Sequence, residues 1–348
     1  MLRRSTREFL AKECSSKVVR QLMESADAHD PALWKKMAGL GWTALGIPEE
    51  YGGVGTFLDL IVVLEEGGRS LLPGPFFATM GLAVPALIEA GTEAQKKEVL
   101  TAIAEGKARA TLAFTEPSGR WDAGGVTLSA KPVGGGWRLD GVKLFVPDAA
   151  GADYTVVAAR TRGEGEEGIS LFLVKGKPKG MTVTELQTLD MTRRWNEVRF
   201  DGVELGADAL MGPQDKAWPA LKRALEWATA ALCAEMIGGA QKVLEESTEY
   251  AKTRHQFGKP IGIYQAVSHK LADMLVLLRE RALGDLLCGR GRWRPMRLIA
   301  RSPRAWRRRT SPTRIARSRA TASRCTAASA SPGSTTCTFT SSGRKPQR

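Results

Sequence analysis

The stretch that decides the fold runs from Val126 to Ala159 and reads VTLSAKPVGGGWRLDGVKLFVPDAAGADYTVVAA. Val126 to Pro132, Trp137 to Val146 and Tyr154 to Ala159 have strand composition, and Gly134-Gly135-Gly136 and Asp148 to Gly151 punctuate them. Short β-branched and aromatic runs between such clusters read as strands joined by turns. The same texture extends both ways. Thr111-Leu112-Ala113-Phe114 lies upstream, and Leu171 to Val174, Met181 to Leu186 and Val198 to Leu205 follow at similar spacing. Together they predict a small antiparallel barrel or sandwich.

Helical patterns flank this block. Upstream, Glu13 to Ala28, Trp34 to Leu40, Phe57 to Arg69, Leu82 to Ala90 and Glu93 to Ile103 read as helices. Asp30-Pro31 marks a turn or a helix start, and Thr92 is an N-cap with Gln95 at capping-box spacing. Ile47 to Gly53 and Leu72 to Pro75 carry loop signals. Downstream, Leu221, Leu225, Leu232, Met236, Val243 and Leu244 fall on or near one stripe of a helix from Trp218 towards Tyr250. Gly238-Gly239 inside it leaves room for close packing, and Tyr264 to Leu278 is a second helix. The expected fold class is a multidomain α+β protein. An N-terminal helical domain (1–108) precedes a central antiparallel β-domain (109–208) and an incomplete C-terminal helical bundle (209–281). A basic tail (282–348) closes the chain.

With 348 residues, 43% of them hydrophobic, the chain can bury a sizeable core. No apolar run reaches the ~20 residues of a membrane span. Met1 to Arg20 holds no apolar h-region, so no signal peptide is expected. Five scattered cysteines offer neither a metal spacing nor a disulfide framework, and with no metal site expected the setting is a reducing, cytoplasmic one. The net charge of +14 is unevenly placed: residues 282–348 hold 16 of the 51 Lys and Arg and one of the 37 acids. The first 281 residues are therefore near neutral, and the basic character is no footprint for specific nucleic acid. The tail would bind polyanions weakly, as any polycation does.

Three short segments carry chemistry. Thr115-Glu116-Pro117 ends a strand, Lys143 to Asp148 ends another, and Thr253-Arg254-His255-Gln256-Phe257-Gly258 joins the two late helices. On the residues alone, the first two read as turns and strand ends. Arg254 is equally suited to cap the last helix carbonyls and to hold a phosphate. His255 and His269 are isolated, which fits surface or packing roles.

In this order, the segments resemble the acyl-CoA dehydrogenase family over residues 1–281. Ile47 to Gly53 is similar to the family's N-terminal-domain loop, Thr115-Glu116-Pro117 to its first flavin-contacting segment and Phe145-Val146-Pro147 to its second. The Thr253 to Gly258 signature is the most specific, while Gly119-Arg120-Trp121-Asp122 departs from the small residues usual after Thr-Glu-Pro. The resemblance implies an FAD cofactor contacted by Thr115, Phe145 and Pro147. It places Arg254 and Phe257 on the flavin nucleotide of a neighbouring subunit. It implies an acyl-CoA substrate, electron-transfer flavoprotein as electron acceptor, and a homo- or hetero-oligomer. The implied reaction is α,β-dehydrogenation: a carboxylate removes the acidified α-proton and the β-hydride passes to the flavin. The family takes that carboxylate from late in the C-terminal domain or from its first long helix. Glu226 and Glu235 lie on that helix, but the family's position is nearer Ala228, so both fit exposed or ion-paired roles and no catalytic base is assigned. The alternatives are a non-catalytic subunit of a heteromeric enzyme, and a flavin oxidase or monooxygenase on the same scaffold.

The resemblance stops near Arg281, where the composition breaks. In an offset reading frame, each codon takes its last two bases from the first two of the residue at that position. So read, Cys325 to Lys345 permits VHGGIGFTWEHDLHFYFKRAK, similar to the family's late Gly-Gly-x-Gly-Phe segment. Trp-Glu within it is tightly constrained by Pro332, Gly333 and Ser334. We infer a frameshift between about residues 279 and 284, and expect a missense, disordered tail.

Overall fold

Pro31 stands at the first helical position, where a missing N–H costs nothing, and Asp30 ahead of it accepts the Ala32 amide at 2.8 Å. The computed structural model describes residues 1–25 and 28–290, with side chains up to Arg279. The helices of the first region are α1 (Leu2–Glu13), α2 (Ser16–Met23), α3 (Pro31–Gly39) and α4 (Phe57–Ser70). The sequence predicts one helix over Glu13–Ala28; the structure instead breaks at Cys14 and Ser15. Ser15 takes the extended N-cap conformation that serine favours. α1 is held by Thr6 and Leu10, which are buried four residues apart on one face.

A π-helical turn, Phe77–Ala83, leads into α5 (Val84–Ala90). Thr92 and Gln95 form the reciprocal capping box that their spacing predicts, with bonds of 3.3 and 3.0 Å. They open α6 (Glu93–Gln95), which passes through a second π turn into α7 (Thr101–Ala104).

The central sheet is built from β1 (Ala110–Ala113), β2 (Ser129–Val133), β3 (Gly136–Pro147), β4 (Tyr154–Arg160), β5 (Ile169–Lys175), β6 (Met181–Leu186), β7 (Trp195–Leu205) and β8 (Leu210–Met211). Its order is β6-β7-β3-β2-β4-β5-β8, with β1 also on β4. Most pairings are antiparallel, but β1 and β2 each run parallel to β4, a feature the strand composition does not reveal. Side chains alternate between two cores. Val156, Ala158, Leu171 and Leu173 face the helices, while Val157, Ala159, Phe172 and Val174 pack with Leu139, Val146 and Phe200. Burial on both faces explains why β4 and β5 read as nearly unbroken apolar runs.

The late elements are α8 (Trp218–Thr253), β9 (His255–Gln256), β10 (Lys259–Pro260) and α9 (Gln265–Arg290). The chain divides into two compact units, Met1–Gln241 with the segment from Leu278, and Lys242–Leu277. Within the first unit, α4 crosses α8 backbone to backbone. A Cβ on Gly238 would lie 1.7 Å from the Glu65 carbonyl oxygen, and one on Gly68 would lie 1.9 Å from that of Glu235. The backbone of α9 continues nine residues past Arg281, through Ala282, Leu283, Leu286 and Leu287, which are good helix formers. That stretch is therefore helical where a disordered tail is expected. The remaining residues of the tail, including the offset-frame segment, lie outside the described residues.

Candidate functional site

β1 ends at Ala113, and the chain continues through Phe114 and Thr115 alongside β3. The Thr115 carbonyl accepts the Leu144 amide at 2.8 Å. Thr115 is half-buried, and its hydroxyl has no hydrogen-bond partner among the described residues. Across β3 and β7, Lys143 pairs with Val198 but Val146 with Asn196, so β3 carries one extra residue there, a β-bulge. The bulge puts Phe145 at φ 52° and leaves its ring 52% exposed. A bulky residue in the left-handed region is strained, and such strain gathers at functional sites. Thr115 is thus bonded to Leu144, the residue before Phe145. Pro147 follows but is buried; its carbonyl accepts the Thr111 hydroxyl at 2.6 Å, and it has no N–H to offer a ligand.

Beneath these residues lies a fully buried ion pair that the strand-end pattern does not announce. Lys143 Nζ donates to Glu116 Oε1 at 2.6 Å and to the Phe114 carbonyl at 3.2 Å. Glu116 also accepts the amides of Thr127 and Leu128 at 2.9 to 3.0 Å, and the Thr127 hydroxyl. Burial opposes ionisation of Glu116, yet Lys143 and these donors hold its carboxyl below the usual range. Burial pulls Lys143 down to about 8 despite its partner. The one signal in the sequence is a lysine inside an apolar strand.

A second group of charges surrounds Asp148, which is also in the left-handed region at φ 53°. Its Oδ2 is buried without a partner, as are Arg193 Nε and Glu235 Oε2. Arg193 pairs with Glu235 and stacks its guanidinium 4.7 Å from the Phe77 ring centre. Glu235 is therefore ion-paired, Glu226 is half-buried, and Ala228 is buried between them. Beside Thr115, Arg120 pairs with Asp122, and the exposed Trp121 meets Phe114 edge-on at 5.8 Å.

In the second unit, β9 and β10 form a two-residue hairpin with Phe257 at φ 54° and Gly258 at φ 76° at its tip. Asn or Gly is the ordinary occupant of the first position. Here it is an aromatic ring, 93% exposed and edge-on to Tyr264 at 6.3 Å. The exposed Arg254 guanidinium makes no hydrogen bond or ion pair among the described residues. Its backbone is fixed by bonds to Tyr250 and Ile261 at 2.9 and 2.8 Å. The Thr253 hydroxyl donates back to the Glu249 and Tyr250 carbonyls at 3.1 and 3.3 Å. His255 and His269 are exposed.

Among the described residues, no group of three or more His, Cys, Asp and Glu could hold a metal, and no helix is long and apolar enough to cross a membrane. Three family models match in chain order: the acyl-CoA dehydrogenase N-terminal domain over residues 1–107, middle domain over 111–203 and C-terminal domain over 215–283. The caffeyl-CoA reductase–Etf complex subunit CarC of Acetobacterium woodii is 30% identical over 81% of this chain and 76% of its own length. An acyl-CoA dehydrogenase of Bacillus subtilis is 31% identical over 79% and 73%. A glutaryl-CoA dehydrogenase from Mycobacterium smegmatis, solved in complex with FADH2, superimposes with a TM-score of 0.74 at 26% identity, over 83% of this chain and 74% of that one. With its order of helical, sheet and helical regions, this chain belongs to the acyl-CoA dehydrogenase family of oxidoreductases.

Proposed function

We propose that the chain is built for FAD-dependent α,β-dehydrogenation of an acyl-CoA thioester, and that its altered C-terminus impairs the reaction. The observation that carries the cofactor reading is the bulge in β3, which holds Phe145 strained and exposed one residue past the bond between Leu144 and Thr115. A strained, exposed aromatic and an unpartnered hydroxyl on bonded segments suit a planar ring with polar edges. Thr115 and Phe145 would hold the ring, with Pro147 as an apolar backing that donates nothing. Arg254 and Phe257 would hold the nucleotide part of a cofactor bound by a second subunit, since the planar fork of an arginine matches phosphate oxygens. Bound FAD supplies the hydride acceptor. Electron-transfer flavoprotein is the proposed electron acceptor, and the description of CarC as part of an Etf complex supports that choice.

The proton acceptor is absent from the helix position where the family can place it, because Ala228 stands there and Glu235 is committed to Arg193. The C-terminal family match ends at residue 283, where the composition changes. Both observations favour a second reading, a non-catalytic subunit of a heteromeric dehydrogenase. Reconstitution with FAD followed by addition of acyl-CoA separates the two. Flavin bleaching supports the first; a stable flavin complex that no acyl-CoA bleaches supports the second. Absence of flavin binding even in the frame-restored chain refutes both, and rapid oxygen consumption would assign an oxidase instead.

A further inference from the structure

We propose that the Glu116–Lys143 pair is a positioning element for the cofactor site, setting the spacing between Thr115 and the Phe145 bulge. This rests on the assignment of those two residues to the flavin. Thr115 precedes Glu116 by one residue, and Phe145 follows Lys143 by two. Three bonds tie the segments: Lys143 Nζ to Glu116, Lys143 Nζ to the Phe114 carbonyl, and the Leu144 amide to the Thr115 carbonyl. Glu116 fastens the same point to the approach to β2 through Thr127 and Leu128. Three segments meet on one carboxylate, with the lysine side chain 0% and the glutamate 3% exposed.

A pair this deep is a poor device for stability alone. Removing two charges from water costs heavily, and apolar residues of similar volume often serve a fold as well or better. What apolar packing lacks is direction. An ammonium that must reach both Glu116 and the Phe114 carbonyl fixes where β3 lies against the end of β1. Without that tie, the extra residue in β3 is free to shift among neighbouring registers. Phe145, strained at φ 52°, would then relax and lose its place next to the Thr115–Leu144 bond.

The test uses the full chain with Glu116→Leu and Lys143→Met together, so that no unpaired charge is left buried. The unfolding midpoint should stay near that of the parent. Hydrogen exchange at the Leu144 amide should quicken about tenfold relative to Val157 in β4, and FAD retention should fall about tenfold, the weight of one charge-assisted contact. An unchanged ratio of Leu144 to Val157 exchange overturns the proposal, whether or not FAD binds. A frame-restored parent that takes up no FAD refutes the cofactor assignment and leaves the exchange ratio to decide the pair. If the double variant does not fold, Glu116→Gln keeps one acceptor oxygen for the Thr127 and Leu128 amides while removing the charge facing Lys143. An equal rise in exchange at Leu144 and Val157 in that variant would mark the pair as a general staple and overturn the proposal.

Discussion

The Asp148 amide donates to the Arg194 carbonyl at 2.7 Å, and the Arg194 amide returns a bond to Asp148 Oδ1 at 3.3 Å, leaving Oδ2 buried and unmet. Burial raises this carboxyl to about 6, against the opposing pull of Arg193, Arg194 and Arg109. Between the ordinary value of 3.8 and about 6, the folded state binds more protons than the unfolded one. This group's effect on stability is therefore most favourable in acid, declines as pH rises through that window, and levels off above it. The full difference is about 3 kcal/mol. Asp148→Asn should match the parent near about pH 3, below both values, and exceed it in thermal stability near about pH 8. Equal midpoints at both pH values would show that Asp148 stays charged at no cost.

Gly238 and Gly239 are neighbours with opposite expectations. A Cβ at Gly238 would collide with the Glu65 backbone at 1.7 Å, whereas one at Gly239 finds its nearest atom, the Gly68 carbonyl oxygen, at 3.4 Å. Backbone cannot yield as a side chain can, so Gly238→Ala should force α4 and α8 apart. A cost of about 2–4 kcal/mol is expected, in the range of overpacked cores. Gly239→Ala should be near neutral, since alanine's better helix propensity offsets the tight contact. Urea unfolding of the two variants checks the contrast; similar losses would mean that the crossing is looser than it stands here.

In the frame-restored protein, Arg254→Ala should weaken FAD retention by about ten- to a hundredfold, or about 1.5–3 kcal/mol, without loss of helix content. Lysine should restore only part of the effect, because a point charge lacks the paired fork. Phe257→Asn should ease the turn while also lowering retention, since Asn tolerates the first hairpin position and offers no ring. Visible flavin absorbance after gel filtration measures both. Full retention in Arg254→Ala would remove Arg254 from the cofactor site.

Much of this was readable before any coordinates. Thr92 with Gln95, Asp30 before Pro31 and the glycines at 238 and 239 act locally, and local rules place them. The strands were readable because β-branched runs between glycines have few other uses. What the pattern hid depends on partners distant in sequence. Glu116 and Lys143 are 27 residues apart and look like ordinary strand-end charges until β1 and β3 are laid side by side. The strain at Phe145 comes from a register shift, which has no residue signature. The parallel pairing of β1 with β4 likewise follows from where the helical region delivers the chain, not from β1's own composition. Thr115 could be nominated from sequence only through the family resemblance, and Arg254 without it only as one of two equal readings; their unpartnered polar groups emerge from the fold.

The C-terminus carries the last prediction. α8 and α9 are two helices of an expected four-helix bundle, and apolar residues in the second unit already lie open: Ile263 is 53%, Leu275 42% and Val276 57% exposed. The residues that follow offer mainly Arg, Ser, Thr and Ala where a bundle needs large apolar side chains such as Leu and Ile. Each large side chain left in water forfeits about 1.5–3 kcal/mol. Several such losses rival the ~5–15 kcal/mol that holds a typical domain together. The chain as it stands should therefore be poorly soluble or partly unfolded, and inactive as a dehydrogenase. Restoring the offset frame from about residue 281 should give a soluble, oligomeric, flavin-loaded protein, because it returns apolar helices and the late segment containing Trp-Glu. Expression of both chains side by side, followed by size, flavin content and acyl-CoA-dependent bleaching, decides the matter. A present chain that unfolds cooperatively and oxidises acyl-CoA would show that the tail is native and that the frameshift inference is wrong.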